Sequence, residues 1–245
     1  MCSLSISEIR KAEKVTRSEV IPMVLFAAIV FCLGMNTPQA ANEIIARLFN
    51  QSITNSELQP SEADIERFQS MLTDKSEKEV RHLLAQRALG SKITESVLAD
   101  FAQKNEITPE SSEIQSAYSV IKLWTVDLDN AGEYPEEELE RYRMALAQSM
   151  AKSWKVSKVL YEAYGGDVVF QQDNPLTPVG AYQQLFEQYR EKGEFVIYDP
   201  IFKAAFWSSV RMKYAKTQNP DNIDFSFPWW EKSMSASEKN KDSSY

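Results

Sequence analysis

Residues 135–166 read PEEELERYRMALAQSMAKSWKVSKVLYEAYGG. Side chains that are apolar or aromatic, apart from one serine, recur every three or four positions, at Leu139, Tyr142, Leu146, Met150, Trp154, Ser157, Tyr161 and Tyr164. This spacing places them on one face of a helix. A proline favours the first turn of a helix and a glycine its end, so the stretch predicts one helix over 135–164. At roughly 40 Å, such a helix is longer than most core helices.

The rest of the chain favours the same class. Only seven of the 245 residues are glycine, which disfavours a β-protein with many tight turns. Ser61 with Asp64, and Ser76 with Glu79, have the spacing of helix caps. Beyond Ser76 the apolar spacing keeps its phase through Gly90, which predicts one bent helix. Further helices are expected after Pro109, Pro178 and Pro200. The fold class expected is mainly α.

Two short segments interrupt this helical pattern. Residues 168–170 and 195–197 are apolar and β-branched or aromatic, and we expect them to form a small two-strand element by pairing with each other. Ile44–Phe49 also suits a short strand, or the first turn of a helix. From Glu231 onward the chain is polar with nothing to bury, so residues 231–245 are expected to be a disordered tail.

The first 40 residues are typical of a segment that directs export. An uncharged apolar run, residues 20–35, follows four basic residues and precedes small polar ones. A spanning helix needs roughly 20 apolar residues, so a signal peptide cleaved near Ala40 fits better, and an uncleaved anchor is the alternative. Both cysteines, Cys2 and Cys32, lie in this segment. A mature chain without thiols suits an oxidising compartment.

The net charge of −8 argues against a nucleic-acid partner, which would require a basic face. Metal or catalytic chemistry has little support. His82 is the one histidine, so no second histidine can complete a zinc site with it, and a catalytic triad could use only His82. Asp127, Asp129, Asn130 and Glu133 lack the spacing of a calcium loop. No catalytic residue, cofactor or metal is therefore predicted.

Two turns carry a family resemblance. The first runs from Leu48-Phe49-Asn50 through Ile53-Thr54 to Glu57-Leu58. The second contains Ala102, Ile107, Thr108 and Glu110, with Ile114 at the next apolar position. With the helices between them, residues 42–118 resemble the N-terminal domain of SurA-type periplasmic chaperones. The usual glycine before the closing Ile or Val of that family is Glu106 here.

The resemblance implies a helical chaperone-like domain over 42–118 in the periplasm of a Gram-negative bacterium, with inner-membrane anchoring if the N-terminal segment is retained. Residues 119–230 would form an α-rich C-terminal region. Such proteins continue into a parvulin-type prolyl isomerase domain, but 119–230 lacks the histidines and glycine-rich turns of that domain. Isomerase activity is therefore not carried over. The C-terminal part resembles uncharacterised exported bacterial proteins.

The hypothesis that follows is an exported, non-enzymatic protein that binds unfolded or extended polypeptide, or an envelope protein, through an apolar groove. Exposed aromatic side chains would supply the contact surface. The residues expected to contribute are Trp154, Phe170, Phe206, Trp207, Trp229 and Trp230. Two alternatives stay open: a divergent prolyl isomerase or other envelope enzyme, and a structural envelope subunit held by an N-terminal helix.

Overall fold

The computed structural model describes residues 43–131, 135–171 and 174–231. The predicted signal peptide or anchor and all but the first residue of the predicted tail lie outside these ranges. The strands are β1 (Ile44–Leu48), β2 (Gln51–Thr54) and β3 (Phe195–Ile197). The helices are α1 (Glu62–Met71), α2 (Glu77–Lys104), α3 (Ser111–Trp124), α4 (Val126–Ala131), α5 (Glu136–Tyr164), α6 (Val179–Glu191) and α7 (Pro200–Val210). The mainly α class is confirmed.

Helix ends follow local sequence signals. The Ser61 hydroxyl accepts from the backbone N–H of Asp64, and Ser76 and Glu79 form a reciprocal cap. Helix α2 runs through Gly90 without a break, as predicted. Helix α5 ends at Gly165, whose φ of 63° is accessible to glycine without strain.

After the end of α2, the residue with positive φ is a glutamate, Glu106, and not a glycine as after α5. The backbone N–H of Ile107 donates to Ala102 O and that of Glu106 donates to Gln103 O, which is the Schellman pattern. Glu106 occupies its left-handed position, with φ of 55°. A glycine would adopt that conformation at lower cost. Directly after this turn, Glu110 and Glu113 form the capping box that begins α3.

The predicted pairing of residues 168–170 with 195–197 is wrong. β3 pairs antiparallel with β1, which also pairs with β2, so the sheet order is β2-β1-β3. Val169 instead forms an isolated bridge with Thr177. The guanidinium of Arg47 donates to Phe49 O and Gly193 O, at 2.8 and 3.1 Å, and so joins the ends of both strand pairs.

The chain forms two compact units that alternate along the sequence. The first, here called the strand unit, contains residues 43–101 and 179–215. The second, the tryptophan unit, contains residues 102–178 and 216–231 of the described chain. The predicted regions 42–118 and 119–230 are consecutive in sequence and remain a prediction, whereas the two compact units are each built from separate stretches. Pairs such as β1 with β3 lie far apart in sequence, which is why local patterns do not reveal this division.

Each unit has its own core. In the strand unit, the rings of Phe186, Phe195 and Trp207 all pack around Phe206, with centroid separations of 5.2–5.6 Å from it. In the tryptophan unit, α3 and α5 run antiparallel: Glu113 of α3 pairs with Lys155, and Thr125 at its end meets Arg143. Their buried faces pack with Val168, Leu176, Phe225 and Trp230.

Candidate functional site

The structure divides the six predicted polypeptide-binding residues by burial. Trp154, Phe206, Trp207 and Trp230 are core residues with at most 8% of their surface exposed. Phe170 is 66% exposed, and Trp229 is half-buried. Phe206 and Trp207 belong to the strand unit, whereas the other four belong to the tryptophan unit. Only Phe170 and Trp229 therefore present substantial surface to a partner.

Four indole rings form a continuous series in the tryptophan unit. Trp154 and Trp230 meet edge to face at 6.0 Å, and Trp230 meets Trp229 in the same way at 5.5 Å. Trp229 then stacks on Trp124, with centroids 6.1 Å apart and planes 16° from parallel. The series begins in the core and ends at the surface, because Trp230 is fully buried while Trp124 is 59% exposed.

The outer end of this series forms an exposed apolar surface. Trp124 and Trp229 stack there, and Phe227, two residues before Trp229 in sequence, is 60% exposed; we call these three residues the aromatic strip. Leu123 and Val126, on either side of Trp124 in sequence, are also exposed. The site prediction did not include Trp124, because Trp124 continues the spacing of Ile114, Ala117 and Ile121 and so looks buried. Its place as the last residue of α3 was the available signal.

A buried arginine fixes the end of α3 beside the strip. Arg143 is 1% exposed, and its guanidinium donates to Thr125 Oγ1 at 2.8 Å and to the Thr125 carbonyl at 3.1 Å. It also pairs with Glu140 at 2.9 Å. A cation at a helix C-terminus interacts favourably with the unpaired carbonyls there. Arg143 thus holds the residue that follows Trp124.

The Glu140 carboxylate also interacts with two side chains of α3. The Tyr118 hydroxyl donates to its carboxylate, and the Lys122 ammonium lies 3.8 Å away. The hydrogen bond from Tyr118, followed by that from Arg143, lowers the pKa of Glu140 below its ordinary value. The carboxylate therefore stays ionised at neutral pH and links two turns of α3 to α5.

The C-terminal segment supplies the other half of the strip. Trp230 Nε1 donates to Ser116 Oγ at 3.1 Å, and Ser116 donates to the Glu231 carboxylate at 3.0 Å. These bonds attach residues 230–231 to α3, and the buried Trp230 ring anchors them. Trp229 is thereby positioned against Trp124. The backbone on both sides of the stack is therefore held in place, at Thr125 next to Trp124 and at residues 230–231 next to Trp229.

The same segment lines a shallow pocket of about 240 Å³. Its walls are Lys158, Tyr161 and Glu162 of α5 and residues 223–226. The rings of Tyr161 and Phe225, both in the lining, have centroids 5.1 Å apart. Residues 223–229 therefore contribute to both sites: residues 223–226 line the pocket, and Phe227 and Trp229 belong to the strip.

The other candidates of the sequence analysis lie elsewhere. His82 of the strand unit contacts the edge of Phe202 at 5.5 Å and Gln86 at 3.0 Å. Asp127 lies in α4, and Glu133 is outside the described residues. Among the described residues, no three His, Cys, Asp or Glu side chains converge as a metal site would require. Nor does any helix in the described ranges have the length and apolar character needed to span a bilayer.

Comparison of the chain with protein-family models, with curated proteins and with solved structures finds no match.

Proposed function

We propose that this protein is an exported, chaperone-like or envelope-assembly factor that binds an extended segment of another polypeptide on the aromatic strip. The observation that carries the proposal is the exposed stack of Trp124 on Trp229. Contiguous exposed aromatic surface is typical of sites that contact a partner. The resemblance of residues 42–118 to SurA-type chaperones supports the same class of function, although all three residues of the strip lie beyond residue 118.

Burial of the exposed Trp124 ring would supply much of the binding free energy. Covering roughly 100 Å² of the Trp124 ring with apolar surface contributes about 2.5 kcal/mol before the costs of association. The strip is already ordered by Arg143 and by the Trp230 anchor, so little further entropy is lost when a partner binds. Phe170 is a further exposed aromatic side chain of the same unit. Several weak contacts of this kind suit a partner whose sequence varies.

A chaperone assay tests the proposal. The mature protein should suppress aggregation of chemically denatured citrate synthase, and Trp124→Ser together with Phe227→Ser should abolish most of that effect. Both side chains are more than half exposed, so the double variant should keep its thermal midpoint. Tyr198→Ser is the matched control, because Tyr198 is 53% exposed but lies in the strand unit. Equal suppression by wild type and double variant contradicts the proposal.

Export is proposed from the sequence of residues 1–40. N-terminal sequencing of the protein recovered from a periplasmic fraction should give a new N-terminus near residue 41. Recovery of the intact chain in the membrane fraction would instead support the alternative of an anchored envelope subunit.

A further inference from the structure

We infer that the pocket lined by α5 and residues 223–226 binds a small zwitterion, a free α-amino acid with an apolar side chain. This inference does not rest on the proposed function, because it concerns the pocket and not the aromatic strip. The whole lining belongs to the tryptophan unit. It contains two side chains of opposite charge, Lys158 and Glu162, and neither forms an ion pair within the described chain. A ligand that carries both charges complements them.

The positive group of the pocket is the ammonium of Lys158, which lies over the Trp154 ring, 5.6 Å from its centroid. Tryptophan is the side chain whose ring attracts a cation most strongly. Trp154 is a core residue with 3% of its surface exposed, so it supports the half-buried lysine at a fixed place. This contact leaves the N–H donors of the ammonium free to bind the carboxylate of a ligand.

The negative group is the carboxylate of Glu162, one helical turn after Lys158 on α5. Its side chain is exposed and has no hydrogen bond to any residue that the structure describes. Lysine four positions before glutamate is the less favourable order for an ion pair on a helix, and these two side chains do not pair with each other. Both therefore remain available to the carboxylate and the ammonium of one molecule.

The rest of the lining determines the kind of ligand side chain. Ile223 and the rings of Tyr161 and Phe225, tilted by 32° to each other, provide apolar surface. Asp224 accepts from the backbone N–H of Ser226 at 2.8 Å, so charge recognition is assigned to the two residues of α5. The volume of about 240 Å³ is below the roughly 300–1,000 Å³ of pockets for drug-sized ligands, which suits a single amino acid.

Isothermal titration calorimetry of the mature protein with four small molecules tests the inference. Phenylalanine carries both charges and a ring, 3-phenylpropionate lacks the ammonium, phenethylamine lacks the carboxylate, and glycine lacks the ring. We expect phenylalanine to bind most tightly, and loss of either charge or of the ring to weaken binding about fivefold or more. Failure of phenylalanine to bind at millimolar concentration, or equal affinity for phenylalanine and any of the other three molecules, overturns the inference.

Single variants assign each charge of the ligand to its partner. Lys158→Gln should weaken the binding of phenylalanine about fivefold and leave that of phenethylamine, which has no carboxylate, unchanged. Glu162→Gln should weaken phenylalanine to a similar extent and leave 3-phenylpropionate unchanged. Lys152→Gln with Glu137→Gln is the matched control, because both residues are exposed on α5 and lie outside the pocket lining. Wild-type affinity for phenylalanine in either single variant overturns the inference.

Discussion

The protonation of His82 is determined by the side chains around it. His82 is packed against the edge of Phe202, and its ring nitrogen is 3.0 Å from the Gln86 amide. Burial lowers the pKa of His82, the Asp199 carboxylate opposes that shift, and the Lys78 ammonium adds to it. The neutral imidazole is therefore the form that the folded state prefers. Because this is the one histidine of the chain, its titration can be observed without overlap.

We predict that stability decreases on mild acidification because of this residue. Its pKa is lower in the folded state than in the unfolded state, so the unfolded state takes up the proton first as the pH falls. The stability contribution is complete above the ordinary histidine pKa and is lost as the pH falls through that value toward the folded one. Urea unfolding at pH 7.5 and pH 5.5 measures the change, which His82→Gln should reduce.

NMR titration of the imidazole supplies the direct check on this prediction. The midpoint in the folded protein should lie below 6.5. Carboxylates whose pKa values are lowered, such as Glu79 and Glu140, titrate below this range and do not interfere. A midpoint at or above 6.5 would show that the burial of His82 does not control its protonation.

At the scale of elements, the contact of α3 with α5 depends on one buried cation. Arg143→Ala would leave the Thr125 carbonyl without its donor and Glu140 without its closest cation. Because the Glu140 side chain is 35% exposed, solvent screens much of the lost ion pair, and the unpaired Thr125 carbonyl is the larger loss; together they cost roughly 1–3 kcal/mol. We therefore expect a clearly lower urea midpoint, with Trp124 more mobile in time-resolved fluorescence anisotropy. Arg141→Ala, at an exposed position of the same helix, should change stability by less than about 0.5 kcal/mol.

Elements also differ in how far their sequence predicts them. The starts of α1, α2 and α7 depend on a side chain bonding to backbone two or three residues away, as Asp199 does with Ile201 and Phe202. Signals of that range can be read directly from the chain. The partner of β3 cannot be, because β1 lies about 150 residues earlier and several apolar segments would fit equally well.

The candidate site, like the partner of β3, could not be predicted from local sequence signals. Trp154 and Trp230 were predicted to contribute to the binding surface because they are aromatic, but aromatic side chains are also typical of cores, and both are buried. Trp124 was missed because only the end of α3 distinguishes it from the buried positions before it. Arg143 lies among the apolar residues on the buried face of α5. A pattern of hydrophobic residues cannot identify it as buried, because arginine is charged. The aromatic strip combines residues about 100 positions apart, which no local rule brings together.

In the whole molecule, both compact units are completed by segments distant in sequence. The strand unit requires β3 to join β1, and the tryptophan unit requires residues 223–231 to return to α3 and α5. Contacts of such sequence separation close large loops and slow folding. Residues 223–231 therefore complete the core of the tryptophan unit, directly before the segment whose polar composition predicts a tail.

Removing Trp230 should destabilise the tryptophan unit far more than removing its exposed neighbour. Trp230 is fully buried and contacts Trp154, Trp229 and Ser116, so Trp230→Ala should cost about 3–5 kcal/mol. Phe227→Ala, three residues earlier, removes an exposed ring and should cost less than about 0.5 kcal/mol.

Deleting residues 232–245 should lower the free energy of unfolding as little as Phe227→Ala does, whereas deleting 223–245 should lower it at least as much as Trp230→Ala does. Urea unfolding followed by near-ultraviolet circular dichroism measures all four changes. Equal stability of the two deletion variants would mean that residues 223–231 do not complete the core, and the aromatic strip would then lack the anchor that positions Trp229.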